Sequence, residues 1–452
     1  METMNLSEIA SACDGVVHGE GEVRSVCIDS RKVTNGCLFI AISGENFDGH
    51  DFAASAVCSG AAAVMCHRPV ECGAPVILVK NTATALMHLA AYYRQKFSIP
   101  VVGLTGSVGK TTTKDMVHCV LSRKYKTLKS EGNHNNEIGM PLTVLELDHT
   151  YRAAIFEMGM YFFGEISELT RVARPDVGII TNIGVSHIEN LGSQENILKA
   201  KLEIIDGMKP GAPLLLNGDD KFLNSAVISG FKVDYYGIEN PACRFRAGQI
   251  EQADGAVSFV IYFDGKEQPI TLPAMGLHHV YDALAAFAAG IVLGVAPKEA
   301  AAGLADYLPS GMRQHLVKVN DVTVIEDCYN ASPDSMRAAL GILRDLKTDR
   351  KIAVLGDMNE LGALSGQAHH EVGKYAAQCV DILFAVGEKA EGYVCGAQES
   401  AMPQVEYFTS KNALAQRLEE VVQPGDGVLF KASRGMKLEE VITDLYERWN
   451  RQ

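Results

Sequence analysis

The stretch VVGLTGSVGKTTTKDMV, Val101–Val117, reads as an apolar strand, a glycine-rich loop and the opening turns of a helix. Its spacing departs from the common phosphate loop G-x-x-x-x-G-K-[ST], which would place the outer glycine at Leu104. Here the outer glycine is Gly103, one residue earlier, and a further glycine stands at Gly106. A strand that ends in glycines and passes into a helix turns backbone N–H groups and the helix N-terminus toward a polyphosphate. The segment Thr105, Gly106, Ser107, Val108, Gly109, Lys110 and Thr111 is therefore expected to hold a nucleoside triphosphate. Lys110 would reach the β- and γ-phosphates, and the Thr111 hydroxyl would bind Mg²⁺.

Working outward, the pattern is α/β and breaks into three units, in keeping with about 150 residues per domain in a 452-residue chain. Residues 1–98 hold short β-like runs (Cys37–Ile42, Ala62–Cys66, Val76–Val79) and then a helical stretch, Thr82–Phe97. Pro100 disfavours a helical residue before it and closes that unit. Over 99–310, strands at Val101–Leu104, Ala153–Phe156, Val177–Thr181 and Pro213–Leu216 alternate with helical patterns, which predicts a mostly parallel sheet covered on both faces. After LPSGMRQ, Leu308–Gln314, the alternation restarts at Thr323–Glu326, Lys351–Leu355, Ile382–Val386 and Val428–Lys431, making a third α/β unit over 311–452.

The net charge of −14 argues against a nucleic-acid partner. The 11 cysteines are scattered and form no CxxC pair, so free thiols in a reducing, cytoplasmic compartment are expected. No signal peptide is legible near Met1. The longest apolar run, Ala283–Pro297, falls short of the roughly 20 residues of a bilayer crossing and reads as a buried helix, so no membrane partner is expected.

Magnesium needs hard oxygen ligands near the phosphates. IFEMGM places Glu157 at the C-terminal end of a strand, where open α/β sheets bind ligands, and TNIGVSHIENLGS does the same for His187. Lys199 and Lys201 in ILKAKLEI lie on a predicted helix, where the ordinary reading is a solvated face.

The run T-G-S-V-G-K-T, followed by GNHNNEIGMP (Gly132–Pro141), EMG, NIGVSHIENLGS and KAKLEI, resembles the Mur ligases of bacterial peptidoglycan synthesis. EDCYNASPDSM (Glu326–Met336), LGDMNELGALSGQAHHEVG (Leu355–Gly373) and KASRGMKLE (Lys431–Glu439) resemble the member of that family that adds D-alanyl-D-alanine to UDP-N-acetylmuramoyl-tripeptide. The resemblance implies a small uridine-nucleotide-binding N-terminal domain, a central ATP-binding domain and a Rossmann-like C-terminal domain, acting as a monomer with ATP and Mg²⁺. It implies that Glu157 and His187 are metal ligands and that Lys201 is carbamylated, its carbamate positioning a second metal. Arg313 would approach the γ-phosphate from the third domain, and Asp327 would hold the ribose. Tyr329 and Asn330 would line the nucleotide or acceptor pocket, while His369 receives no role. Ser30 and Arg31, in DSRKVTNGCLFIAISGENFDGHDF, are the expected diphosphate contacts, with Asp48, Gly49 and His50 beside them. Asn135 and Asn136 would touch the substrate.

Two departures stand out. GLHHVYDA, Gly276–Ala283, carries His279 and Asp282 where the family has asparagines near the adenine, and an ionised aspartate can only accept hydrogen bonds. Ala432 stands where glycine is usual. The implied reaction begins when the tripeptide's carboxylate attacks the γ-phosphate, giving an acyl phosphate that the amine of D-alanyl-D-alanine then attacks. Lys110, Lys201, His187 and Arg313 are the expected catalytic groups. Other amino-acid-adding Mur ligases and folylpolyglutamate synthases remain alternatives, although no D-[ND]-P-R motif of the diamino-acid enzymes is present. A nucleotide switch would leave Lys201 and the first unit without purpose.

Overall fold

A computed structural model describes residues 1–44, 47–253, 255–309 and 311–449. The chain builds three main α/β layers in order, each around its own sheet, plus a small antiparallel pair between Met4–Asn5 and Glu22–Val23. The first sheet has the spatial order Val16–His18, Val76–Leu78, Ala63–Cys66, Cys37–Ile40, Ser25–Cys27, parallel except for its first pair. Cys37–Ile40 and Ala63–Cys66 are buried at every position, as central parallel strands covered on both faces should be.

In the central sheet, Val101–Thr105 lies between Ala153–Glu157 and Val177–Ile180, with Thr127–Lys129 outside the former. Pro213–Asn217, Lys232–Gly237 and Phe245–Ala253 continue the parallel array on the other side. Two further strands, Ala256–Phe263 and Lys266–Leu272, extend it antiparallel. The sequence reading did not anticipate these last three strands, although Val257, Phe259, Ile261 and Phe263 alternate as a half-buried strand does. Pro269 is tolerated because Lys266–Leu272 is the edge strand.

The helix Lys110–Ser122 buries Met116, Val117, Val120 and Leu121 against the helix Leu277–Val292. That second helix contains most of the long apolar run. It is buried almost throughout from Val280 to Gly290 and stops at Gly294, which holds φ +77°. No helix among the described residues is long and apolar enough to cross a membrane.

The third sheet runs His315–Val319, Val322–Asp327, Gly427–Lys431, Lys351–Gly356, Ile382–Val386, Val405–Phe408, parallel after its antiparallel first pair. The helix expected to reach Phe97 ends at Arg94. The buried Arg94 guanidinium donates to the carbonyls of Ala173, Phe97 and Ile99, which draws the following residues out of the helical path.

Candidate active site

Strand register brings the loop and its neighbours to one edge. Glu157 pairs with Leu104, and Ile180 with Thr105, so three parallel strands end together at their C-terminal tips, where such sheets take ligands. The loop is fastened from the Thr181–Asn182 side. Ser107 N–H donates to the Asn182 carbonyl (3.1 Å), Val108 N–H to Asn182 Oδ1 (2.9 Å), and Thr181 Oγ1 to the Val108 carbonyl (2.6 Å). Thr105 is buried and donates its hydroxyl to the Met158 carbonyl. Gly109 caps the helix at φ +85°, and a β-carbon there would lie 2.6 Å from Asp282 Oδ1. At Gly106 a β-carbon would stand 1.8 Å from Thr181 Oγ1, so both positions need glycine for space.

The donor set fits a nucleotide with a hard cation. Thr111 Oγ1 donates to Glu157 Oε2 at 2.9 Å, and Glu157 is buried. Asn135 Nδ2 donates to the other oxygen at 2.9 Å, and Lys114 Nζ lies 3.5 Å from Oε2. A hydroxyl and a carboxylate together at the start of the loop helix are oxygen ligands of the kind magnesium takes with phosphate oxygens. Among the described residues no group of three or more His, Cys, Asp or Glu side chains forms a ready metal cage. Lys110 donates to the Gly106 carbonyl, and its desolvated setting lowers its pKa, with Glu157 opposing. Lys201 is buried, contrary to the solvated-face reading, and burial followed by the charge of Lys110 lowers its pKa well below the usual value.

His187 holds φ +64° at a helix start, and the Tyr161 ring packs edge-on to it at 4.9 Å. Its Nδ1 lies 2.8 Å from Glu360 Oε2, without the alignment of a hydrogen bond. Glu360 belongs to the third unit, so this contact bridges two domains. His187 holds the Glu360 carboxyl below the usual range, against the opposing effect of burial.

The third unit closes the cleft. The Arg313 guanidinium stacks on the Tyr329 ring at 3.9 Å. Asp327 Oδ2 accepts from the buried Lys431 Nζ at 2.6 Å, and Lys431 also donates to the Asn330 carbonyl. These side chains share one cleft with Ser107–Thr112, Asn135, Glu157, His187 and Asp282. Asp282 Oδ1 accepts from Thr113 Oγ1 at 2.8 Å, and His279 Nδ1 lies 3.4 Å from Asp282 Oδ2. His278, left without a role in GLHHVYDA, meets Gln314 Oε1 at 2.7 Å across the same junction.

The first-unit candidates lie outside that cleft. Arg31 is exposed and makes a two-pronged contact with Asp29, next to Ser30. His50 is buried, with Nδ1 at 2.6 Å from Asp48 and Nε2 accepting from His67 N–H, while Asp48 also pairs with Arg68. Gly49 sits where a β-carbon would strike the Ile42 backbone, so Asp48, Gly49 and His50 build the turn itself. Asn136 Oδ1 likewise caps its own turn by accepting from Gly139 N–H.

His369 acquires a role that its spacing did not reveal. Buried, it accepts from Met358 N–H at Nε2 and donates from Nδ1 to the Ser365 carbonyl, while Ser433 Oγ accepts from Asn359 N–H. Together they hold the loop that carries Glu360. Glu360, Lys114 and Lys431 all stand inside quoted motifs but received no role there, because their partners are distant in sequence.

Comparison with known proteins places these features in a family. Family profiles described as Mur ligase family catalytic domain, Mur ligase middle domain, and Mur ligase glutamate ligase domain match residues 22–94, 104–290 and 312–434. The UDP-N-acetylmuramoyl-tripeptide–D-alanyl-D-alanine ligase of Bacillus subtilis is 43% identical over 96% of this chain and 94% of its own length. A crystal structure of MurF from Acinetobacter baumannii superposes with a TM-score of 0.92 at 31% identity, covering 99% of both chains. MurF from Thermotoga maritima in complex with ADP gives a TM-score of 0.85 at 28% identity, over 95% of this chain and 98% of that one. A loop, a cleft and a third domain arranged in this way, in a chain matched along nearly its full length, establish that it belongs to the Mur ligase family.

Proposed function

We propose that the chain joins D-alanyl-D-alanine to UDP-N-acetylmuramoyl-tripeptide through an acyl phosphate, forming the pentapeptide precursor of peptidoglycan and releasing ADP and phosphate. The observation that carries this reading is the meeting of the phosphate loop with Arg313 and Asp327 of the third unit in a single cleft. The B. subtilis relative supports the choice of substrates.

A carboxylate is a poor acyl donor because its leaving group would be an oxide, and phosphorylation supplies a better one. Phosphoryl transfer of this kind depends on positioning and on neutralising charge. The loop N–H groups and Lys110 receive the phosphates, and Arg313, already stacked on Tyr329, adds charge from the opposite wall. Asp327, fixed by Lys431, is the ribose acceptor. Thr111 and Glu157, with His187 nearby, would hold Mg²⁺, which would supply electrostatic stabilisation of the phosphate oxygens. Burial, with the charge of Lys110 beside it, lowers the Lys201 pKa and so favours the neutral amine, the form that adds CO₂; a carbamate there would be an oxygen-bearing anion in place of a cation. Asn135 and Asn330 line the acceptor side, with Asn136 holding the turn beside Asn135, and Ser30 and Arg31 take the uridine diphosphate in the first unit, with the Asp48, Gly49 and His50 turn. Closure of the third unit keeps water from the acyl phosphate.

We draw the domain limits at 98/99 and 310/311; Ser310 lies outside the described residues. The 11 free cysteines support a reducing, cytoplasmic setting, and the working unit is a monomer. The test is phosphate release from ATP and Mg²⁺ with the tripeptide nucleotide, adding D-alanyl-D-alanine, D-glutamate or diaminopimelate in turn and reading product mass. Release with a mass gain of one dipeptide, confined to D-alanyl-D-alanine, is expected. Turnover without an acceptor, or only with another amino acid, removes the named substrate.

A further inference from the structure

Four carboxylates line the cleft among the described residues: Glu157, Asp282, Asp327 and Glu360. Three are already engaged inside the protein. Glu157 takes Thr111, Asn135 and Lys114, Asp282 takes Thr113, and Asp327 takes Lys431. Their side chains are 2%, 7% and 8% exposed, whereas that of Glu360 is 39% exposed. Glu360 is thus the one cleft carboxylate, among the described residues, open to a ligand.

Its setting is built. The backbone holds φ +64° at a residue that is not glycine, a conformation of the kind kept at functional positions. The loop is pinned by His369 on one side and Ser433 on the other. Glu360 faces Lys110 and stands 2.8 Å from a His187 nitrogen, so its carboxylate already meets a nitrogen beside the phosphate loop, with poor alignment. Of the three substrates in the proposed reaction, the nucleotide brings phosphates, and the nucleotide-sugar peptide brings phosphates, the reacting carboxylate and, where its third residue is a diamino acid, an amino group at the far end of that side chain. The cation is brought in at the reacting end by the dipeptide, as its free amino group.

We infer that Glu360 is the seat for the amino group of the incoming dipeptide, drawing it to the cleft by charge and orienting it toward the activated carbonyl. This rests on the ligase reading above. It makes the third unit, through Glu360, the domain that delivers the second substrate to the phosphate loop on closure.

The test separates the two halves of the reaction in Glu360→Gln and Glu360→Ala. The first half is followed without dipeptide, as nucleotide-tripeptide-dependent acyl phosphate trapped by hydroxylamine as the hydroxamate. The whole reaction is followed as phosphate release against D-alanyl-D-alanine concentration. A hydrogen bond to a charged group is worth about 1.5–3 kcal/mol, so KM for the dipeptide should rise about tenfold to a hundredfold. Trapped hydroxamate and the KM for ATP should stay within about twofold of wild type. A dipeptide KM within twofold of wild type in both variants overturns the assignment. A parallel fall in hydroxamate also overturns it, because Glu360 would then act through His187 on the phosphate site. Thermal melts of both variants separate these results from misfolding, with Glu360→Gln keeping the shape of the side chain. A wild-type enzyme that forms no dipeptide product is a different failure, that of the ligase reading itself.

Discussion

Replacing Gly109 by alanine tests whether the loop conformation is what binds the nucleotide. At φ +85° an alanine pays the left-handed penalty of about 1–2 kcal/mol. Its β-carbon would also sit 2.6 Å from Asp282 Oδ1, and Asp282 is buried with little room to turn. Moving that carboxylate breaks its 2.8 Å bond from Thr113, worth about 1.5–3 kcal/mol for a charged acceptor. Together these disfavour the native loop by about 2.5–5 kcal/mol. At about 1.4 kcal/mol per factor of ten, ADP affinity should fall by between about two and about three and a half powers of ten. Isothermal titration with Mg²⁺ and ADP reads this directly, beside a thermal melt. Removing the obstruction in Gly109→Ala/Asp282→Ala should return part of the loss, leaving the backbone penalty, so the two changes should be non-additive. A Gly109→Ala protein that binds ADP within threefold of wild type and melts with it would refute the reasoning.

Three further outcomes are expected. Lys201 has a folded-state pKa depressed below its unfolded value, so the unfolded chain binds more protons and wild-type stability climbs with pH between the two values. In CO₂-free buffer Lys201→Met should therefore melt higher than wild type at neutral pH, with the gap narrowing toward pH ~10 near the unfolded pKa; a gap that does not change with pH contradicts the depressed pKa. Asp327→Ala strands the buried Lys431 ammonium and should destabilise by about 3–5 kcal/mol in denaturant melts. Asp327→Ala/Lys431→Met should recover much of that loss, and equal losses in single and double variants would show that the pair is not coupled. His50→Ala leaves the His67 N–H without its acceptor and should lower stability by about 1–3 kcal/mol, read by urea melts. An unchanged midpoint there would show the turn is held by other contacts.

Local chemistry wrote much of this protein into its sequence. The strand, glycines and helix start around Lys110 could be read directly, because loop geometry depends on residues within a few positions of one another. The three α/β units followed from apolar runs whose length and period reflect burial on a sheet. Reading missed the strands over Phe245–Leu272 although Ala256–Phe263 alternates, because apolar residues also stand between its buried positions and the two flanking strands carry long exposed stretches. It failed for Lys201 because a lysine on a short helix is ordinarily solvated, and only the packing around that helix decides otherwise.

What only the tertiary structure decided is pairing across domains. His187 with Glu360, His278 with Gln314 and the Arg313–Tyr329 stack beside the central loop arise from contacts between units or around their junction. The role of His369, fixing a loop and not touching the nucleotide cleft, depends on a hydrogen bond to Met358 that no motif encodes. A motif records which groups a site contains. Which of them remain free to meet a ligand is settled by partners brought together from distant parts of the chain, because burial and charge pairing are properties of the assembled cleft.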